Sequence, residues 1–158
     1  MRVLAIDPGY DRIGVAILEF QGQETVLYST CIETERSDKM AERLLVVGNA
    51  IETILSEYHP TAMAIETLFF NKNVKTAIGV AQARGMLVYL GQRAGCTVYE
   101  FSPQEIKIAM TGNGASDKSA VTMMVKRLVK GVPQNGIDDE YDAIAVGVTC
   151  LAHYSRNR

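Results

Sequence analysis

Four carboxylates in this chain stand where a metal site would need them. Asp7 closes the apolar run Arg2-Val3-Leu4-Ala5-Ile6, and Glu66 closes Ala62-Met63-Ala64-Ile65. Asp139 and Asp142 lie three apart at the head of a helical pattern, where i and i+3 share a face. Strand ends are where open α/β sheets keep their ligand crevices. Two unit charges ~4 Å apart repel by about 4 kcal/mol at an effective dielectric of about 20, so converging carboxylates call for a cation. All-oxygen donors suit Mg²⁺, with Mn²⁺ as a substitute. Two such ions would support phosphodiester hydrolysis, one activating water and the other stabilising the departing 3′ oxygen. Asp138 precedes Asp139 and would share a face with Asp142 as well, so the first ligand of this helix stays open between the two.

Basic and aromatic residues near these acids suit a polyanion. Lys107 and Lys118 flank the glycine-containing turn Thr111–Ala115, where both can reach one phosphate. A helix amino end at Lys118 would add backbone N–H groups. Phe69 and Phe70 follow Glu66 closely, and an unpaired base stacked on such a ring is worth roughly 1–3 kcal/mol. Core packing is the competing role for one of the pair. Lys72, Lys75 and Arg84 add positive charge just downstream, as candidate DNA-binding residues.

The elements that must hold these residues read as follows. Residues 2–6, 13–20 and 25–33 form three short strands separated by Asp7-Pro8-Gly9 and Gln21-Gly22-Gln23. Met40, Leu44, Val47, Ile51 and Ile54 recur at helical spacing, giving an amphipathic helix over 38–57 that His59-Pro60 breaks. A buried, parallel strand over 61–65 follows. Next come a helix over 74–94 rich in small residues and a strand over 96–101. Ser102-Pro103-Gln104-Glu105 is a capped helix start. Further helices run from Ser116 to Lys130 and from Asp138 to Tyr154, the last with a stripe of Tyr141, Ile144, Val148 and Leu151. The result is an α/β fold of ribonuclease-H-like order, a five-stranded mixed sheet with helices on both faces, in one domain over 1–158.

Composition sets bounds on function. Hydrophobic residues make up 47% and charged ones 22%, the balance of a globular protein. No apolar stretch approaches the ~18 residues of a membrane span, and the early charges Arg2, Asp7, Asp11 and Arg12 argue against a signal peptide. Cys31, Cys96 and Cys150 are odd in number and widely spaced, which fits reduced thiols and a cytoplasmic location. The net charge is −2, yet residues 67–131 carry nine Lys or Arg against three Asp or Glu. A basic middle between acidic ends fits a nucleic-acid partner, with solvated helix faces as the bland alternative.

Taken together, the chain resembles the RuvC family of bacterial Holliday-junction resolvases. The motifs are Ile6-Asp7-Pro8-Gly9, Ala64-Ile65-Glu66 with Phe69, Gln82-Ala83-Arg84-Gly85, Lys107, Gly114–Lys118, and Asp139-x-x-Asp142-Ala143-Ile144-Ala145-Val146. The resemblance spans essentially the whole chain. It implies catalytic acids at Asp7, Glu66, Asp139 and Asp142, functional lysines at Lys107 and Lys118, and a base-stacking ring at Phe69. It also implies a homodimer nicking four-way junction DNA symmetrically, and partnership with the RuvA and RuvB branch-migration proteins. The helix over 74–94 is a plausible dimer face, with packing on its own sheet as the alternative. A nuclease acting on RNA or an RNA–DNA hybrid would use the same fold. The Asp-Pro-Gly turn also resembles the phosphate loops of actin-like ATPases, but a chain of this length leaves little room for a second loop and an adenine site.

Overall fold

The computed structural model describes residues 1–67 and 74–156, except the side chains of 74, 75, 155 and 156. Alternating apolar residues make strands β1 (Arg2–Pro8), β2 (Arg12–Phe20) and β3 (Glu24–Glu33), joined as an antiparallel meander. Helix α1 (Met40–Tyr58) leads to β4 (Ala62–Glu66), which pairs parallel to β1. Helix α2 (Val74–Arg93) leads to β5 (Thr97–Phe101), parallel to β4. The sheet order is β3-β2-β1-β4-β5. Helices α3 (Pro103–Thr111), α4 (Lys118–Leu128) and α5 (Asp138–Arg156) complete the chain. The expected five-stranded mixed sheet is therefore present.

Side-chain alternation along the strands divides the core in two. Leu4, Ile6, Val15, Ile17, Met63 and Ile65 meet α1 and α2 on one face. Val3, Ala5, Ala16, Leu18, Ala62 and Ala64 meet α3, α4 and α5 on the other. The second face is paved with alanines, and α5 lies close upon it. A Cβ on Gly147 of α5 would come within 3.0 Å of the Ala5 Cβ and 2.3 Å of Leu18. The expected stripe of α5 is buried, and so are Ala143, Ala145, Val146 and Cys150 beside it.

Local signals set the helix ends. Ser102 accepts from the Glu105 amide and Glu105 accepts from the Ser102 amide, with Pro103 in the first turn and Gly112 closing α3 at φ 76°. Such a cap is worth about 1 kcal/mol. His59 ends α1 in the left-handed region at φ 45°. Helix α4 is shorter at both ends than the span from Ser116 to Lys130. Asp117 takes the capping role by accepting from the Ala120 amide at 2.8 Å. At the other end Lys130 leaves the helix to bond Val26 and Glu24 of β3.

The glycines of α2 serve two purposes. A Cβ on Gly79 would strike Tyr10 and Met40, and one on Gly91 would strike Met63, so both face the chain's own core. Gly85 has open space, and Ile78 and Tyr89 on the outer side are 63% and 60% exposed.

Candidate active site

Parallel pairing of β1 with β4 sets Ile6 beside Ile65, so Asp7 and Glu66 stand at the same end of neighbouring strands. Asp7 is also paired with Gly14 of β2. A Cβ on Gly14 would fall on the backbone of Asp139, so this glycine lets the head of α5 come down over the β1–β2 hairpin. Two bonds hold that head in place. Ser29 of β3 donates to Glu140 at 2.6 Å, and the Tyr141 hydroxyl donates to the Pro133 carbonyl at 2.9 Å.

The acids share one electrostatic environment. Burial pushes the Asp7 carboxyl up to about 7, helped by the charges of Glu66, Asp142 and Asp139 and opposed by Lys118. Burial likewise raises Glu66 to about 7, with Asp142 adding to it and Lys118 and Lys107 opposing. Asp142 is raised by burial, against the hydrogen bond it accepts from Lys118 at 2.7 Å. Burial pulls the Lys118 ammonium down, but Asp142, Asp138 and Asp7 raise it overall. Lys118 thus brings one positive charge to a cluster of four acids.

Asp138 and Asp139 differ in setting. The Asp138 side chain is 75% exposed and stands 3.7 Å from Lys118. Asp139 is 24% exposed, acts on Asp7, and stands 3.6 Å from Arg12. Lys107 and Lys118 line one cavity of about 170 Å³ together with Glu66 and Asp142. Both lysines therefore reach the acids from α3 and α4, across the turn between those helices. Arg84 pairs with Glu100 of β5 at 2.5 Å. Phe69 and Lys72 lie outside the described residues, as does the side chain of Lys75.

Among the described residues, no three His, Cys, Asp or Glu side chains form a ready-made cage for a metal ion. The donor chemistry nevertheless fits a hard divalent cation. The donors are all carboxylate oxygens, and two of the acids are pushed up to about 7, by burial first and by neighbouring carboxylates second.

Sequence reasoning missed Arg12 and Arg43. Arg12 links Asp139 to Glu33 across the hairpin. Arg43 is buried against that hairpin from α1. A signal for Arg43 was present: it sits one helical turn before Val47 on the apolar face, where a charge demands a partner.

The family model described as "Crossover junction endodeoxyribonuclease RuvC" matches residues 3–150. The protein of that name from Thermosipho melanesiensis is 41% identical over 157 residues, spanning 99% of each chain. Its namesake from Halothermothrix orenii is 38% identical over 159 residues, spanning 100% of this chain and 96% of that one. The structure of Thermus thermophilus RuvC in complex with Holliday junction substrate superposes with a TM-score of 0.90 at 27% identity, spanning 99% of this chain and 95% of that one. The fold is accordingly ribonuclease-H-like.

Proposed function

Because this chain belongs to the RuvC family of crossover junction endodeoxyribonucleases, we propose that it resolves four-way DNA junctions by metal-dependent hydrolysis of paired phosphodiester bonds. The observation that carries the reading is the meeting of Asp7, Glu66, Asp139 and Asp142 at the carboxyl ends of β1 and β4, with Lys107 and Lys118 beside them. The whole chain acts as one nuclease domain.

The four acids would hold Mg²⁺ or Mn²⁺, two ions per site. Such ions supply the Lewis acidity that activates water and offsets charge on the leaving oxygen. The chain's own residues do the rest. Gly14 and the Ser29–Glu140 bond set the height and register of the helix that carries Asp139 and Asp142. Lys107 and Lys118, lining the same cavity, grip the non-bridging phosphate oxygens. Lys118 exchanges part of its pairing with Asp142 for the phosphate as the substrate seats.

Phe69 stacks on a base at the junction, and Lys72 and Lys75 hold backbone phosphates near it. Arg84, tied to Glu100, serves this surface indirectly by fixing α2 to β5. A homodimer presents two such sites. Its contact is the outer side of α2 and α1, where Ile78, Tyr89, Leu45 and Val46 are exposed and Gly85 leaves room for close approach. The family reading extends to a cytoplasmic location and to RuvA and RuvB as partners. No described helix is long and apolar enough to cross a membrane.

An end-labelled four-way junction, incubated with Mg²⁺ or EDTA and mapped on both strands, tests this directly. Paired symmetric nicks that need Mg²⁺ support it. Faster cleavage of an RNA–DNA hybrid than of the junction would overturn the substrate assignment.

A further inference from the structure

Arg43 is the one charged side chain buried among the described residues, at 4% exposure. A guanidinium is retained in such a place only where its donors are met. Its partners lie in the turn that follows Asp7 and at the end of β3, which is tied to that turn. Nη2 donates to the Tyr10 carbonyl and, at 3.1 Å, to Asp11 Oδ1. Nε donates to Thr34 Oγ1 at 2.9 Å. The guanidinium also lies 4.3 Å from the centre of the Tyr10 ring. Thr34 in turn donates its amide to the Asp11 carbonyl at 3.0 Å, closing the end of β3 onto the same turn. The Tyr10 ring continues the chain of contacts onto α2, where a Cβ on Gly79 would strike it.

The turn itself leaves little slack. A Cβ on Gly9 would meet the Arg12 carbonyl at 2.1 Å. On one side of it stands Asp7; on the other stand Arg12, which approaches Asp139, and Gly14, which supports the head of α5. Whatever fixes this turn fixes three of the contacts that shape the acidic cluster.

We infer that Arg43 is a positioning residue: from α1, it locks the Tyr10–Asp11 turn so that Asp7 and Asp139 are held in the arrangement that takes a divalent cation. The inference rests on the metal-dependent nuclease reading, and it reaches the site without touching substrate. If the arginine served stability alone, its replacement would weaken the fold and leave cation affinity unchanged in the folded molecules.

The test compares full-length Arg43→Met, Arg43→Lys and Asp11→Asn with Val47→Ala, a destabilising control on the same face of α1. Mn²⁺ binding is titrated without DNA, junction binding is measured in EDTA, and single-turnover cleavage is measured at saturating junction. Arg43→Met should bind Mn²⁺ several-fold more weakly and cut at least about ten-fold more slowly, with junction affinity within about two-fold of the parent. Arg43→Lys should recover part of both losses, since charge is kept while the planar fork is lost. Val47→Ala should lower the melting temperature while leaving Mn²⁺ affinity within about two-fold of the parent. A folded Arg43→Met that matches Val47→Ala in Mn²⁺ affinity overturns the inference. If Arg43→Met does not fold, Asp11→Asn decides by the same titration, and parental Mn²⁺ affinity there overturns it. Failure of the parent to cut junctions would sink the substrate reading alone, because the Mn²⁺ comparison uses no DNA.

Discussion

The backbone carbonyl oxygen of Asp139 stands 1.9 Å from the point where a Cβ on Gly14 would lie. Two distant stretches of chain thus meet by backbone contact, directly beside Asp7 in the β1–β2 register. Gly14→Ala must push the head of α5 away from the hairpin. We expect single-turnover junction cleavage to fall by about a hundred-fold, as for other misplacements of roughly 1 Å. Overpacking should cost about 1–3 kcal/mol in chemical denaturation. Wild-type cleavage by this variant would show that the helix head does not set the site.

Asp138 and Asp139 separate by charge-neutral substitution. Asp139→Asn should abolish most cleavage in Mg²⁺, because Asp139 acts on Asp7. Asp138→Asn, at a side chain 75% exposed, should stay within about three-fold of the parent, in line with an exposed ion pair of little worth. The reverse ranking in parallel rate measurements would move the ligand to Asp138.

The raised carboxyls give stability a direction with pH. Asp7 and Glu66 titrate near 7 in the folded chain and near ordinary carboxyl values when unfolded. The folded state therefore keeps protons that the unfolded state releases. Their contribution is fully present below about pH 4 and is lost as pH rises through about 7. Calorimetric melting in EDTA should show a falling melting temperature between pH 5 and 8. Mg²⁺ should flatten that fall and release protons on binding at pH 6.5. A melting temperature that rises across this range in EDTA would contradict the account.

Asp7→Asn should trade activity for stability. Removing the most strained charge ends cleavage, yet at pH 8 without metal it should raise the melting temperature, by at most the equivalent of about 4 kcal/mol. Lower stability of Asp7→Asn than of the parent at pH 8 would show that its carboxylate is well satisfied without a cation.

Lys107 and Lys118 should separate from the acids in their metal response. Each changed to Ala should lower cleavage by at least about ten-fold, through lost electrostatic contact with the phosphate. Mn²⁺ affinity without DNA should hold or tighten for Lys118→Ala, because Asp142 loses the ammonium at 2.7 Å. Weaker Mn²⁺ binding by that variant would point to a structural role for the lysine instead.

Much of this arrangement is legible in the chain, for identifiable reasons. Strand periodicity and the Ser102–Glu105 cap are local signals, so element order and the α3 start follow from them. Asp7 and Glu66 stand out because each closes an apolar run, and parallel pairing then places them together. What is not legible is set by tertiary contact. The end of α4 depends on Lys130 bonding β3, and the pairing of Arg84 with Glu100 depends on how α2 lies against β5. Arg43 falls between the two cases. Its position on the apolar face of α1 marks it as buried, while its partners in the Tyr10–Asp11 turn emerge only in three dimensions.

The alanine-paved face under α5 bears on where the enzyme can move. A helix seated so closely, and buried along Ala143–Val146, has no room to slide or tilt. Its central amides should be among the last to exchange with deuterium, opening only when the whole molecule opens. Adjustment at the acids during a catalytic cycle then belongs to side-chain rotamers and to the turns between α3, α4 and α5. The helix that carries Asp139 and Asp142 is the stationary jaw of the site.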